Sequence, residues 1–237
     1  MPRFLTPPAP PTRLSAPPAR GRVLVIAPHP DDETIGCGAT LALHAELHDP
    51  IHVVFLTAGT SGDPTGTEDK AAYAALRERE ARAAAAVLGI TTLEFWGHPD
   101  NFQVNENDLR TIEPRVDDLF ARVRPDVVYA PHLGDQHSDH YVAAVLVKRA
   151  LARSRSTARA FGFEVWSAHA ATWVVDVSRV YATKMKALAC YASQLRHTDI
   201  ASFVSGLNAY RAVFLEKGAK YGEAFVALEP DAHAGLP

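Results

Sequence analysis

The sequence predicts an α/β fold of the Rossmann-like kind: one mostly parallel sheet with helices on both faces, in a single domain. Three observations carry that prediction. Short apolar runs rich in β-branched residues alternate with Ala- and Leu-rich segments of helical length along most of the chain. The runs are continuous rather than alternating apolar and polar, as strands buried on both faces of a parallel sheet must be. The length of 237 residues suits one core of this type.

The elements follow in order. Residues 1–20 hold seven prolines and read as an extended arm, since proline fixes φ and lacks the N–H that a central strand needs. The domain proper then spans residues 21–237. Arg22–Ala27 is the first strand and Thr34–Leu47 a helix. His52–Ala58 is the second strand, and Gly59–Thr67 a polar, Gly-rich loop. Glu68–Leu88 is a long helix that Gly89 stops. Thr92–Trp96 is the third strand, and Asn107–Val123 a helix in which Pro114 is expected to make a kink. Asp126–Ala130 is the fourth strand and Tyr141–Ala152 the next helix. Phe161–Trp166, Trp173–Val177 and Glu223–Leu228 are further strands, with helices at Val180–Leu195 and Phe203–Lys217.

Bulk properties narrow the function classes. A net charge of −3 gives no electrostatic footprint for nucleic acid or an anionic membrane. No apolar run approaches the roughly 20 residues that span a bilayer. Two cysteines, Cys37 and Cys190, read as free thiols in a reducing cytoplasm. The arm is expected to serve subunit contacts of a homo-oligomer, with packing along its own domain as the alternative.

Two loops at strand ends are dense in imidazole and carboxylate. The first is Pro28-His29-Pro30-Asp31-Asp32-Glu33. The second is Pro131-His132-Leu133-Gly134-Asp135-Gln136-His137-Ser138-Asp139-His140. In an open parallel sheet both lie beyond the carboxyl ends of the strands, where ligands bind. A catalytic zinc takes three protein ligands and keeps one position for water. His29 and Asp32, three apart across a turn, can face one point, and the second loop offers His137 and His140 as a third ligand. Helix capping by the acidic residues is an alternative for Glu33, but it leaves the coincidence of two such clusters unexplained.

The segment VLVIAPHPDDETIGCGAT followed by PHLGDQHSDH resembles the LmbE-like de-N-acetylases, also called the PIG-L family. Arg77, Glu80, Ala84, Leu88 and Gly89 match its R-x-x-E-x-x-x-A-x-x-x-L-G pattern, and Asp100 matches an aspartate after the third strand. Lys186, Tyr191 and Gln194 sit in a K-x-x-A-L-x-x-Y-x-S-Q stretch like the family's late helix. The likeness covers roughly residues 22–228.

The resemblance implies one Zn2+ per chain on His29, Asp32 and His140. It implies Asp31 as general base, His137 as oxyanion partner in imidazolium form, and Asp139 as the carboxylate that orients an imidazole, with the leaving amine's proton coming from Asp31 or His137. Arg77 and Asp100 would contact the sugar. Asp135 stands where some members carry a catalytic tyrosine, and is expected to bind sugar hydroxyls or a second cation. The implied reaction is removal of an N-acetyl group from an N-acetylglucosamine-type sugar or conjugate. The alternatives are an amidase of another conjugate, or a non-catalytic metal- or sugar-binding module; the pairing of Asp31 with His137 argues against the last. The loops Gly59–Thr67 and Asp100–Asn107 are expected to set specificity. Among weaker candidates, Gly36-Cys37-Gly38 resembles a phosphate cradle, but close packing is the better reading. Cys37 reads as a small buried residue. His98 and His132 flank the crevice. Trp96 and Trp166 end strands beside it and are assigned to core packing ahead of sugar stacking.

Overall fold

The computed structural model describes residues 9–102 and 106–231. Eight strands form one sheet in the order β1-β7-β8-β6-β5-β2-β3-β4. They are β1 (Thr12–Leu14), β2 (Val23–Ala27), β3 (Ile51–Thr57), β4 (Thr92–His98), β5 (Val127–Pro131), β6 (Arg159–Phe163), β7 (Trp173–Asp176) and β8 (Gly222–Ala227). All neighbouring pairs are parallel except those of β8, which runs antiparallel to β6 and β7. The helices are α1 (Asp32–Glu46), α2 (Lys70–Leu88), α3 (Glu106–Val123), α4 (Ser138–Ser154), α5 (Tyr181–Leu188), α6 (Ala192–Leu195) and α7 (Ile200–Arg211). No described helix is long and apolar enough to cross a membrane.

The pleat divides the central strand between two cores. Val23, Val25 and Ala27 of β2 enter a cluster with residues of α1, α2, α5 and α7. Leu24 and Ile26 enter a second cluster with residues of α3 and α4. Alternate side chains of one strand face opposite ways, so a wholly apolar run is what a two-sided core demands.

From β2 the chain builds outward through β3 to β4. It then returns to the other side of β2 for β5 and builds outward through β6. The direction of winding therefore reverses between β2 and β5, and the loops leaving those two strands diverge to open a crevice. These are the two loops rich in histidine and aspartate.

Several boundaries differ from the sequence expectation. The arm adds an edge strand: β1 pairs in parallel with β7, Arg13 reaches Glu216, and Arg20 binds Asp49. Its described part thus packs along its own domain. α3 runs as one helix with Pro114 inside it. The expected helix at Val180–Leu195 is two helices, α5 and α6, and the strand expected to reach Trp166 stops at Phe163.

α1 contains a built-in break, because Cys37 leaves helical geometry at φ −138°, ψ 15°. Such a break frees backbone donors and acceptors that need partners. Glu223 accepts from the Ala39 and Thr40 N–H groups at 3.0 and 2.7 Å. The Lys184 ammonium donates to the Ile35 carbonyl at 2.8 Å, to Asn208 Oδ1 at 2.9 Å and to Glu223 at 2.7 Å. The G-x-G helix start thus already holds an anion, the chain's own Glu223. Gly36 is required by close packing: a Cβ there would lie 2.1 Å from the Phe163 ring.

Candidate active site

The loop after β2 is fixed by backbone geometry before any ligand is considered. Asp31 takes φ 148°, a conformation that L-residues rarely adopt. Its carbonyl accepts from Thr34 and Ile35, which starts α1. Asp32 is the first helical residue, and its Oδ2 accepts the His29 N–H at 2.9 Å. At α4, His137 occupies the N-cap and its Nδ1 accepts the Asp139 N–H at 3.2 Å. That bond gives Nδ1 the acceptor role and leaves Nε2 to carry the ring proton.

Three side-chain atoms converge between the loops. Asp32 Oδ2 lies 3.0 Å from His29 Nδ1 and 3.3 Å from His140 Nε2. Tetrahedral ligands on bonds of 2.0–2.1 Å stand about 3.3 Å apart, so the spacing fits one small cation. His140 is fully buried, and neither of its ring nitrogens has a hydrogen-bond partner. An unpaired buried polar group costs roughly 1–3 kcal/mol; a metal on Nε2 removes that cost, and Asp135 Oδ1 faces Nδ1 from 3.4 Å. The donor set of two imidazoles and one carboxylate suits zinc, so the residues fit the expected group.

A second grouping, His29, His137 and Asp139, also lies within ligand reach. It is the weaker candidate because Asp139 is already engaged. Its carboxylate accepts from the Asn101 and Phe102 N–H groups at 2.9 and 2.6 Å and bonds His29 Nε2 at 2.9 Å. This is the arrangement that orients a ligating histidine.

The electrostatics suit a cation site. Burial opposes charge on both His29 and His140. The Asp32 carboxylate, with Asp139 for His29 and Asp135 for His140, outweighs burial and raises them to about 10 and about 9. Burial would raise Asp32, but the two imidazoles hold its carboxyl far below the usual range. Asp31 behaves oppositely: burial lifts it to about 6, against the pull of Arg77. Burial, followed by the neighbouring His29 and His140, lowers His137, and its Nδ1 accepts the Asp139 N–H.

A cavity of about 150 Å3 opens over the triad, with Asp31, His137, Ser61, Asn101, Trp166 and Gln194 among its lining residues. Arg77 and Asp100 also line it, but both are engaged in the surrounding loops. Arg77 is 2% exposed. It donates to the Gly59 carbonyl at 3.1 Å and the Pro30 carbonyl at 2.5 Å, and lies 3.2 Å from Asp31 Oδ2. Glu80 does not pair with it; its carboxylate takes the Ser193 N–H and hydroxyl instead. Asp100 accepts from Gly59 N–H, Thr60 Oγ1 and Ser61 N–H.

Asp135, expected at the substrate, stands behind His140. One of its oxygens takes the His137 N–H at 3.1 Å and the other the Trp166 N–H at 3.0 Å. Glu33 does not cap α1 either. It is fully buried and accepts from Thr34 and from the Tyr191 hydroxyl at 2.6 Å. Cys37 is buried with its thiol on the Glu33 carbonyl, away from the ligand set. His132 bonds the Ser167 carbonyl and the Gly134 N–H. Residues 103–105 of the expected specificity loop lie outside the described residues.

The sequence reading reached Ser61 and Asn101 only as members of the two specificity loops, assigned no role to Gln194, and placed Trp166 in the core. Trp166 is instead half exposed, while Trp96 is buried as expected. In the late-helix pattern the lysine is Lys184, not Lys186: counting back from Ala187-Leu188 puts it three residues before Ala187, and Lys184 is the buried one. A lone Glu in an apolar strand, Glu223 in β8, was the available signal.

Comparison with known proteins agrees with this geometry. Residues 24–151 match the family described as PIG-L, GlcNAc-PI de-N-acetylase. A probable N-acetyl-alpha-D-glucosaminyl L-malate deacetylase 2 of Bacillus anthracis is 30% identical over 189 residues, covering 73% of this chain and 80% of the relative. A 1D-myo-inositol 2-acetamido-2-deoxy-alpha-D-glucopyranoside deacetylase of Kineococcus radiotolerans is 29% identical; the match covers 55% of this chain and less than half, 44%, of that protein. A 4-oxalmesaconate hydratase of Pseudomonas putida is 27% identical over 72% of this chain and 73% of its own. Among solved structures, N,N'-diacetylchitobiose deacetylase of Pyrococcus horikoshii superposes with a TM-score of 0.76 at 22% identity, over 87% of this chain and 83% of that one, and shares the fold. The family match over more than half the chain, carried by the same two loops that build the ligand triad, makes this protein a member of the PIG-L family of metal-dependent de-N-acetylases.

Proposed function

We propose that the protein is a zinc-dependent hydrolase that removes the acetyl group from an N-acetylglucosamine-type sugar or conjugate. The observation that carries the reading is the ligand triad with Asp31 and His137 beside it in one cavity. Bound zinc on His29, Asp32 and His140 supplies Lewis acidity and a more acidic water. Asp31, adjacent to a ligand but outside the triad, takes the proton from the attacking water. Arg77 fixes the Asp31 carboxylate from 3.2 Å. His137 directs Nε2–H at the oxygen on which negative charge grows, an interaction that belongs to the transition state. As the C–N bond breaks, Asp31 returns the proton to the amine, so acetate and a free amino sugar leave. Asp139 holds His29 and Asp135 holds the backbone of His137, which keeps both loops in register.

The hydratase relative supports a second reading, addition of water to an unsaturated acid. The cavity disfavours it: Arg77 is the one Lys or Arg among the described lining residues, and it is tied to Asp31 and two carbonyls. Apart from the metal, a multiply anionic substrate finds no free Lys or Arg among the described lining residues. The test is a panel of N-acetylated sugars given to chelator-stripped and zinc-reconstituted protein. The reading expects acetate and free amine in equal amounts, only after reconstitution. Hydration of an unsaturated dicarboxylate without acetate release would select the second reading.

A further inference from the structure

The cavity over the ligand triad is small, about 150 Å3, whereas cavities that enclose a drug-sized ligand begin at roughly 300 Å3. It has room for an acetamido group and at most the ring that carries it. Whatever is attached to that ring lies at the rim, and Trp166 is there, 51% exposed while lining the cavity. Its placement is built rather than incidental. The Trp166 backbone N–H donates to Asp135 at 3.0 Å, the carboxylate that also faces His140 and accepts the His137 backbone N–H. Phe203 lies against the indole with ring centroids 5.4 Å apart. The backbone bond sets where the side chain leaves the loop, Phe203 lies against the indole, and half of the residue is left to water. A packed Trp buries about 150–250 Å2, so this position forgoes apolar burial that a bound ligand can restore.

We propose that Trp166 is a specificity-determining platform, on whose face rests the ring linked to the N-acetylated sugar. It rests on the deacetylase reading above and narrows it: the substrate is an N-acetylglucosaminide whose other half is a second sugar or a cyclic polyol. A chair-form ring presents one face of C–H groups to the electron-rich indole face. An acyclic carboxylate has no flat face to offer and meets no free cation among the described lining residues.

Binding calorimetry tests the platform in metal-loaded protein carrying Asp31→Asn, so that turnover does not deplete the probe. The probes are N-acetylglucosamine and N,N'-diacetylchitobiose. The disaccharide should bind the more tightly. Adding Trp166→Ala should weaken it roughly tenfold, the size of one lost ring stack, and weaken the monosaccharide less than about twofold. Trp166→Phe should recover most of the loss. An equal loss for both sugars, no loss for either, or a disaccharide that fails to bind with Trp166 present overturns the proposal. Acetate release by the unsubstituted enzyme is read separately. Its absence alongside Trp166-dependent disaccharide binding would sink the reaction and leave the platform standing.

Discussion

Single atoms decide the chemistry of the candidate site. His140 has two buried nitrogens without hydrogen-bond partners, which face the Asp32 and Asp135 carboxylates, so its removal takes a ligand from the site. His140→Ala should lose most of its zinc in elemental analysis, and full retention would take the residue out of the site. Asp31 needs its carboxylate form to accept a proton, so activity should fall as pH falls through its pKa. Burial sets that pKa at about 6 and Arg77 restrains it; the charge of bound metal moves the limb lower still. Arg77→Leu removes the restraint, and the acid limb of kcat/KM should move to higher pH. An unmoved limb would limit Arg77 to holding the loops. Glu33 offers a stability test in chelator-treated protein. Burial lifts its pKa from 4.5 to about 7, over the opposing Thr34 and Tyr191 hydroxyls. The folded pKa is the higher one, so the stabilisation is complete below about 4.5 and is lost as pH rises through about 7. The thermal midpoint of Glu33→Gln relative to the unsubstituted protein should therefore rise between pH 5 and 9. Parallel curves would mean that Glu33 stays unshifted.

At the scale of elements, the broken α1 depends on two residues far away in sequence. Lys184 and Glu223 are both fully buried, and between them they satisfy the carbonyl and N–H groups that the break exposes. Losing one partner of such a pair strands the other charge, at a cost of about 3–5 kcal/mol. Lys184→Met and Glu223→Gln should each lower the thermal midpoint sharply, and the double variant by less than the sum of the two. Additive losses would show that the pair is not a unit. This is also where the sequence was least legible. Both metal loops could be read because each lies within a few residues and follows a strand with a clear apolar run. The Lys184–Glu223 contact spans 39 positions, and no local pattern reports it. Trp166 was misplaced because Phe161–Trp166 reads as a strand; the backbone leaves the sheet at Phe163, where His132 N–H takes the Phe163 carbonyl. Asp135 was assigned to substrate because its type suits hydroxyls, whereas backbone donors from both sides claim it. The β1 strand escaped notice because three residues in a proline-rich arm carry too little pattern to mark an edge strand.

For the whole molecule, the winding reversal between β2 and β5 explains why chemistry gathers at one crevice. The described part of the arm sits on the far edge of the sheet, with β1 against β7. Deleting residues 1–20 should therefore lower the thermal midpoint, through loss of β1 and of the Arg20–Asp49 pair, while kcat stays unchanged. A loss of kcat with an unchanged midpoint would place the arm at the site instead. The central claim is that Asp31 works on a proton while its neighbour Asp32 holds the metal. It is tested most directly by measuring zinc content and acetate release on the same preparation of Asp31→Asn. The account predicts about one zinc per chain, as in the unsubstituted protein, with acetate release from an N-acetylated sugar reduced by at least about a hundredfold. Near-normal release with zinc bound, or loss of the zinc itself, would contradict it.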